Sequence, residues 1–229
     1  MQYIGGKSKF QKQLIALMQP ERYETYVEPF AGGMNVISNV IHPNRWGNDN
    51  NAPLIEMWKS IQMGRTPERI TKEQYDIIKS KPDEFPLHLV AEAGFLASFK
   101  GLWFGGYNGN SSNGRDYNGE MIRNVMKQAP GMKNVRLSNS HYSSLDIPAG
   151  SLVYCDPPYA GTKNYHNGEF DSFIFWEWVR ELSRSCSVYV SEFTAPCDFE
   201  CVYSFERKNH MNYGVTETVE EKVFKCLQN

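Results

Sequence analysis

The sequence predicts an α/β fold, with a parallel sheet built from both ends of the chain and an insertion between them. Three observations carry that reading. Strand and helix patterns alternate over residues 25–61, the alternation fails from residue 66 to about 130, and it resumes after residue 134.

"TYVEPF" (25–30) is β-branched and aromatic and reads as a short strand. It runs into Gly32-Gly33, after which "MNVISNVI" reads as the start of a helix. "NRWGNDN" (44–50) reads as a second strand and its end. "NAPLIEMWKSI" (51–61) sets Leu54, Ile55, Trp58 and Ile61 at helical spacing. Inside the break, "KEQYDIIKS" and "PLHLVAEAGFLASFK" read as helices. "GLWFGGYNGNSSNGRDYNG" (101–119), crowded with Gly, Asn and Ser, reads as a long loop. Its Trp103, Phe104 and Tyr107 fit either DNA-facing aromatics or a small satellite core. Beyond it, "NVRLSNSHY", "SLVYC" and "CSVYVSEF" read as strands, "DSFIFWEWVRELSR" as a helix and "EKVFKCL" as a last strand.

A chain of 229 residues suits one large domain, or a core domain with a modest insertion. Hydrophobic content of 41% and charged content of 22% are ordinary for a globular protein. No apolar stretch is long enough to span a bilayer, and "MQYIGGKSKF" has no secretory apolar region, so an intracellular protein is expected. The five cysteines (Cys155, Cys186, Cys197, Cys201, Cys226) are odd in number and form no CxxC, which argues against a disulfide framework or a zinc site. His141, His166 and His210 show no ligand spacing, so no metal is expected. A net charge of -2 does not point to a nucleic-acid binder. Between Ser98 and Arg136, however, Lys100, Arg115, Arg123, Lys127, Lys133 and Arg136 face only Asp116 and Glu120. That local excess reads either as a solvated loop or as a DNA-facing surface.

Three short motifs carry chemistry. "EPFAGGMNV" (28–36) puts two glycines where a strand turns, allowing close backbone approach to a ligand. GxGxxG is absent, which disfavours NAD or FAD. Asp49, at the end of the next strand, is placed to accept from ribose hydroxyls. The pair fits a nucleoside cofactor without a pyrophosphate, or a plain strand-turn-helix with a surface acid. "YIGGKSK" (3–9) offers Tyr3 as a packing ring and Lys7 as a carboxylate partner, weakly in isolation. Asp156-Pro157-Pro158-Tyr159 ends an apolar strand, the edge at which ligands bind in open α/β sheets. Two prolines remove two N–H donors, so a carboxylate and a carbonyl stand together as acceptors. That suits an exocyclic amine, whose lone pair localises on nitrogen when its protons are held, with Tyr159 as a stacking face.

These residues carry a resemblance. "YIGGKSK", "EPFAGG", "NDNNAPLIEMW" and "CDPPYAGTKNY", with the later "EFDSFIFWEW" and "SEFTAPCDFECV", stand in the order found in DNA adenine-N6 methyltransferases of the Dam-like (D12) class. The chain resembles especially the short forms typical of phages and prophages. The resemblance implies a Rossmann-like methyltransferase fold, S-adenosylmethionine as methyl donor, adenine in DNA as acceptor and the cytoplasm of a bacterial host as location. It implies a catalytic domain at 1–64 and 130–229 and a target-recognition insertion at 65–129. Tyr3, Lys7, Glu28, Phe30, Gly32, Gly33, Asp49 and Asp156 would line the cofactor pocket, Asp49 holding the ribose. Tyr142 sits where the family places a residue against the cofactor's adenine, although a core tyrosine fits as well. Asp156, with Pro157 and Pro158, would bind the target amine and Tyr159 would stack on the flipped base. Lys100, Arg115, Arg123 and Lys163 are the candidate DNA contacts. Many family members carry a second spaced glycine where this chain has Met34. Two alternatives stay open: methylation of cytosine N4, and a DNA-binding relative that has lost turnover.

Overall fold

The apolar runs that read as strands lie side by side in the middle of one sheet. The computed structural model describes residues 1–3, 5–110, 114–158, 170–210 and 216–227, with 207–210 and 216–219 described by backbone alone. Its strands are β1 (Tyr26–Glu28), β2 (Arg45–Asn48), β3 (Val135–Ser138), β4 (Leu152–Cys155), β5 (Ser187–Glu192), β6 (Phe199–His210) and β7 (Thr216–Cys226). Its helices are α1 (Gln11–Met18), α2 (Ala52–Gln62), α3 (Lys72–Ser80), α4 (Leu87–Ala91), α5 (Tyr117–Gln128) and α6 (Ser172–Ser183). The sheet order is β3-β2-β1-β4-β5-β7-β6. The first five strands are parallel, while β7 runs antiparallel to both β5 and β6. The expected Rossmann-like sheet is therefore present, drawn from both ends of the sequence.

Both faces of the sheet are covered, and side chains alternate between them. Tyr26, Tyr154 and Val223 join one core with Leu14 of α1, Trp58 of α2 and Val125 of α5. Val27, Val153 and Val190 join the other, with Phe175 and Trp176 of α6. Burying side chains such as Trp58 and Phe175 contributes roughly 1.5–3 kcal/mol each. Helix starts are capped by side chains. Asn51 accepts from Leu54 N at 2.9 Å, Asp116 from Gly119 N at 2.9 Å and Asp171 from Ile174 N at 3.0 Å, while Thr71 and Gln74 form a capping box.

The structure departs from the sequence reading in four places. After Gly33 there is no α-helix, only a 3-10 turn at Ile37–Asn39. Met34 adopts φ +57°, the flanking Val36, Ile37 and Val40 are stiff at χ1, and Asn39 Nδ2 bonds the Asn35 carbonyl at 3.0 Å. The stretch 101–119 is shorter as a loop than expected, because α5 starts inside it at Tyr117. Its start, Tyr-Asn-Gly, is poor in helix formers, and the Asp116 cap compensates. The helix predicted around 86–100 ends early and passes into a π-helical turn, Glu92–Leu96. Strand β6 is unannounced by alternation because a bulge between Cys201 and Tyr203 breaks its period: Phe199 and Phe205 lie on opposite cores.

The segment between α2 and β3 has a small core of its own, built on Ile70, Tyr75, Ile78, Val90 and Ala97. Trp103, Phe104 and Tyr107 pack on it, so they are the satellite core of the two readings. Its other side joins the main core through Phe95, Leu96 and Met121. Buried Glu92 anchors it, ion-paired with Arg65 and accepting from Glu68 N at 3.0 Å.

Candidate active site

The chain places β2 and β3 on one side of β1, and β4 and β5 on the other. The order reverses between β1 and β4, and the crevice beyond their carboxyl ends is where such sheets bind ligands. The turn after β1 is tied to the end of β2: Ala31 N donates to Asn48 O at 2.8 Å, and Gly32 N to Asp49 Oδ2 at 2.9 Å. A Cβ on Gly32, which sits at φ +46°, would lie 2.8 Å from Tyr3 Cε1, and one on Gly33 would lie 2.7 Å from Tyr3 Cβ. The glycines are there because the Tyr3 ring lies across them. Gln128, at the end of α5, donates to Gly33 O at 2.9 Å and Met34 O at 2.7 Å, and its Oε1 accepts from the Met1 amine.

Asp49 also accepts from Asn51 N through Oδ1 at 2.9 Å. Burial raises its pKa, and these two backbone donors oppose that. Each carboxylate oxygen has a second acceptor position. Phe30 makes the neighbouring wall, 5.0 Å from the Tyr142 ring and 5.7 Å from Phe175. Tyr142 is 6% exposed and also packs edge-on against Trp178, so it serves the core and the wall together.

At the end of β4, Asp156 is partly exposed, Pro157 buried and Pro158 exposed. Asp156 Oδ1 accepts from Lys7 Nζ at 2.6 Å, and Lys7 also reaches Gly5 O at 2.8 Å. Glu28, on the same side of the sheet, is 3% exposed and accepts from Tyr26 Oη at 2.6 Å. Burial pushes its pKa to about 8, with nearby Asp156 adding to the rise. Tyr3 feels both Asp49 and Asp156; burial, then those two charges, push its hydroxyl pKa up. Tyr3, Lys7, Glu28, Phe30, Gly32, Gly33, Asp49 and Asp156 thus gather at one edge of the sheet.

Three candidate DNA contacts, Lys100, Arg115 and Arg123, lie elsewhere, on the segment between α2 and β3. Lys100 is exposed, with φ +54° and its Nζ 5.2 Å from the Phe99 ring centre. Arg115 holds Glu120 through two 2.8 Å bonds and lies 4.8 Å over Tyr117. Arg123 is exposed, 3.9 Å from Asp116, which is ion-paired with Arg69. Tyr159 and Lys163 lie outside the described residues.

Two residues in contact with this site carry no motif. Gln128 sits in α5, whose Met121, Ile122, Val125 and Met126 stand at helical spacing, and Glu221 lies 3.0 Å from Lys7. Glu221 had one legible signal: it shares the inward face of β7 with Val223. A charged residue at an apolar register position asks for a partner.

A parallel sheet that reverses its order beside a glycine turn, an acid after the second strand and a carboxylate after the fourth is the frame of a nucleoside-cofactor methyltransferase. The family is more specific still. The model of D12 class N6 adenine-specific DNA methyltransferases matches residues 3–93 and 72–200, and the chain belongs to that family. It is 26% identical over 215 residues to the type II methyltransferase M.FokI of Planomicrobium okeanokoites, covering 80% of this chain and 32% of that protein. It is 26% identical over 212 residues to the modification methylase StsI of Streptococcus sanguinis, with the same coverage. The chain thus spans about a third of the length of these curated relatives. A solved structure of SMU.472, a proposed methyltransferase complexed with SAH, aligns at a TM-score of 0.39 and 10% identity, over 97% of this chain and 53% of that one. No helix among the described residues is long and apolar enough to cross a membrane.

Proposed function

We propose that the protein transfers a methyl group from S-adenosylmethionine to N6 of an adenine flipped out of DNA. The observation that carries this is the position of Asp156, at the end of β4 beside the turn after β1, with its carboxylate already holding a nitrogen donor, Lys7 Nζ. The residues suit the cofactor: Asp49 keeps acceptor capacity for a diol, Phe30 offers an apolar wall, and the glycine turn brings backbone close. When bound, the cofactor supplies an electrophilic methyl group.

The chain's own residues do the rest. Asp156 accepts a hydrogen bond from the adenine amine, so that the nitrogen lone pair leaves conjugation with the ring; the one proton that N6 gives up on methylation passes to solvent. Pro157 and Pro158 offer no competing N–H. Tyr159 stacks on the extruded base, offsetting part of an extrusion cost of a few kcal/mol. Holding the two reactants in line supplies about 7–11 kcal/mol, by analogy with effective molarities. Residues 65–129 serve as the recognition insertion, with Lys100, Arg115, Arg123 and Lys163 on phosphates.

The test is transfer of labelled methyl from S-adenosylmethionine to unmethylated DNA. Wild-type protein is expected to label adenine N6. Asp156→Ala is expected to lose transfer by about 10²–10³-fold, the scale of removing a transition-state contact, while binding S-adenosylhomocysteine within a few-fold of wild type. Retained transfer in Asp156→Ala would remove Asp156 from this role; label on cytosine N4 would change the substrate.

A further inference from the structure

The ion pair at Asp156 has a third member. Lys7 Nζ lies 2.6 Å from Asp156 Oδ1 and 3.0 Å from Glu221 Oε1. The Lys7 and Glu221 side chains are 2% and 1% exposed, that of Asp156 22%. We propose that Glu221 is a positioning residue for methyl transfer: it keeps the Lys7 ammonium when Asp156 turns its carboxylate to the substrate amine. This rests on Asp156 being the amine acceptor.

The argument is one of charge and burial. In the structure an ammonium sits on Asp156 Oδ1 at 2.6 Å, and its charge weakens the whole carboxylate as an acceptor for an exocyclic amine. A buried ammonium with a single carboxylate partner resists giving it up, because separation leaves an uncompensated charge. A second carboxylate at 3.0 Å removes that obstacle, since Lys7 shifts its charge from one acid to the other with little movement. Glu221 in turn is too buried to be stabilised by water, which holds Lys7 inside.

The groups facing the triad fit this division. Glu28 of β1, held largely neutral near pH 7 by burial, does not compete for Lys7. The Tyr26 hydroxyl is spent on Glu28, and the Tyr154 hydroxyl of β4 lies 2.8 Å from Ser191 Oγ of β5; burial keeps both protonated. Tyr3 is held neutral in the same way. Phe205 of β6 pairs with Glu221 across the hairpin and stacks on Phe10 at 4.3 Å, closing the acid off from solvent.

Glu221→Gln keeps the shape and removes one carboxylate charge from beside Lys7, which strengthens its hold on Asp156. The expected result is a kcat lower by roughly tenfold or more, a smaller change in S-adenosylhomocysteine affinity, and an acid limb of the kcat–pH profile moved to lower pH. Glu221→Asp, which keeps the charge, is expected to recover most of the loss. A folded Glu221→Gln with wild-type kcat and acid limb overturns the proposal, as does a folded Glu221→Asp as impaired as the Gln variant. A structure of wild-type protein with S-adenosylhomocysteine and unmethylated DNA decides independently of any variant. Lys7 Nζ on Glu221 and off Asp156 is the expected arrangement, and Lys7 still bonded to Asp156 overturns it. Failure of the underlying reading looks different: wild-type protein would transfer no label, or Asp156→Ala would retain transfer.

Discussion

Met34 is fully buried yet sits at φ +57°, a conformation that costs an L-residue about 1–2 kcal/mol. A glycine here, as in the spaced-glycine pattern of the resemblance, would take up the same φ without strain. Burial explains how Met34 is tolerated: the side chain fills the core beside Ala31 and Ile37. Replacing a buried Met by a small residue costs about 2–5 kcal/mol, more than the strain relieved. Met34→Gly is therefore expected to lower stability by about 1–3 kcal/mol despite the relaxed backbone, as urea unfolding would measure; equal or higher stability would show that the strain dominates. The residues of the turn were legible because their chemistry is local: Gly32 and Gly33 answer to Tyr3, and Asp49 to Gly32 N. Lys7 was legible as a carboxylate partner, but its partners, Asp156 and Glu221, are set by the fold.

Among the elements, the segment between α2 and β3 departs most from its sequence signal. Its helices α3 and α4 follow their apolar periodicity. Helix α5 follows it too, with Met121, Ile122, Val125 and Met126 at helical spacing, but its start is hidden, because Asn118 and Gly119 are kept helical by tertiary bonds: Asn118 donates to Leu96 O at 3.0 Å and accepts from Ile70 N at 3.0 Å. The basic excess is also partly spent. Arg115 is clamped to Glu120, and Arg136 lies 4.0 Å over the Trp46 ring. If Arg115 contacts phosphate, Glu120 competes with the DNA. Glu120→Gln is then expected to tighten DNA binding and steepen the slope of log K against log salt, while Lys100→Ala and Arg123→Ala each flatten it by about 0.9. Anisotropy titrations over a salt series would measure this, and unchanged slopes in all three variants would remove the segment from the DNA interface.

For the molecule as a whole, the buried acids near β1 set how stability responds to pH. Glu28 has a pKa of about 8 in the fold, against an ordinary value of 4.5. Between these two values the folded state holds a proton that the unfolded chain releases. Stability from this group is complete below about pH 4.5 and is lost as pH rises through 8, at no more than about 1.4 kcal/mol per pH unit. Glu28→Gln keeps an acceptor for Tyr26 and cannot ionise. Its unfolding free energy is expected to fall less between pH 6 and pH 8.5 than that of wild type, and parallel curves would show that Glu28 does not govern the effect. The parallel part of the sheet was legible in the alternating strands and helices, and the end of β7 in "EKVFKCL", but β6 was not, since its bulge and its charges hide the strand period.

The contact between residue 7 and residue 221 has a consequence for the order of events during synthesis. Lys7 leaves the ribosome before Asp156, and Asp156 long before Glu221. Strand β7 inserts between β5 and β6, so the sheet has no closed hairpin edge until residues 216–226 have been made. Until then Lys7 and Asp156 are a pair without the third charge, next to an unfilled sheet edge. A nascent chain with every motif from Tyr3 to Pro158 already present would lack the Glu221 carboxylate beside Lys7. The full charge arrangement around Lys7 then forms only when β7 joins the sheet.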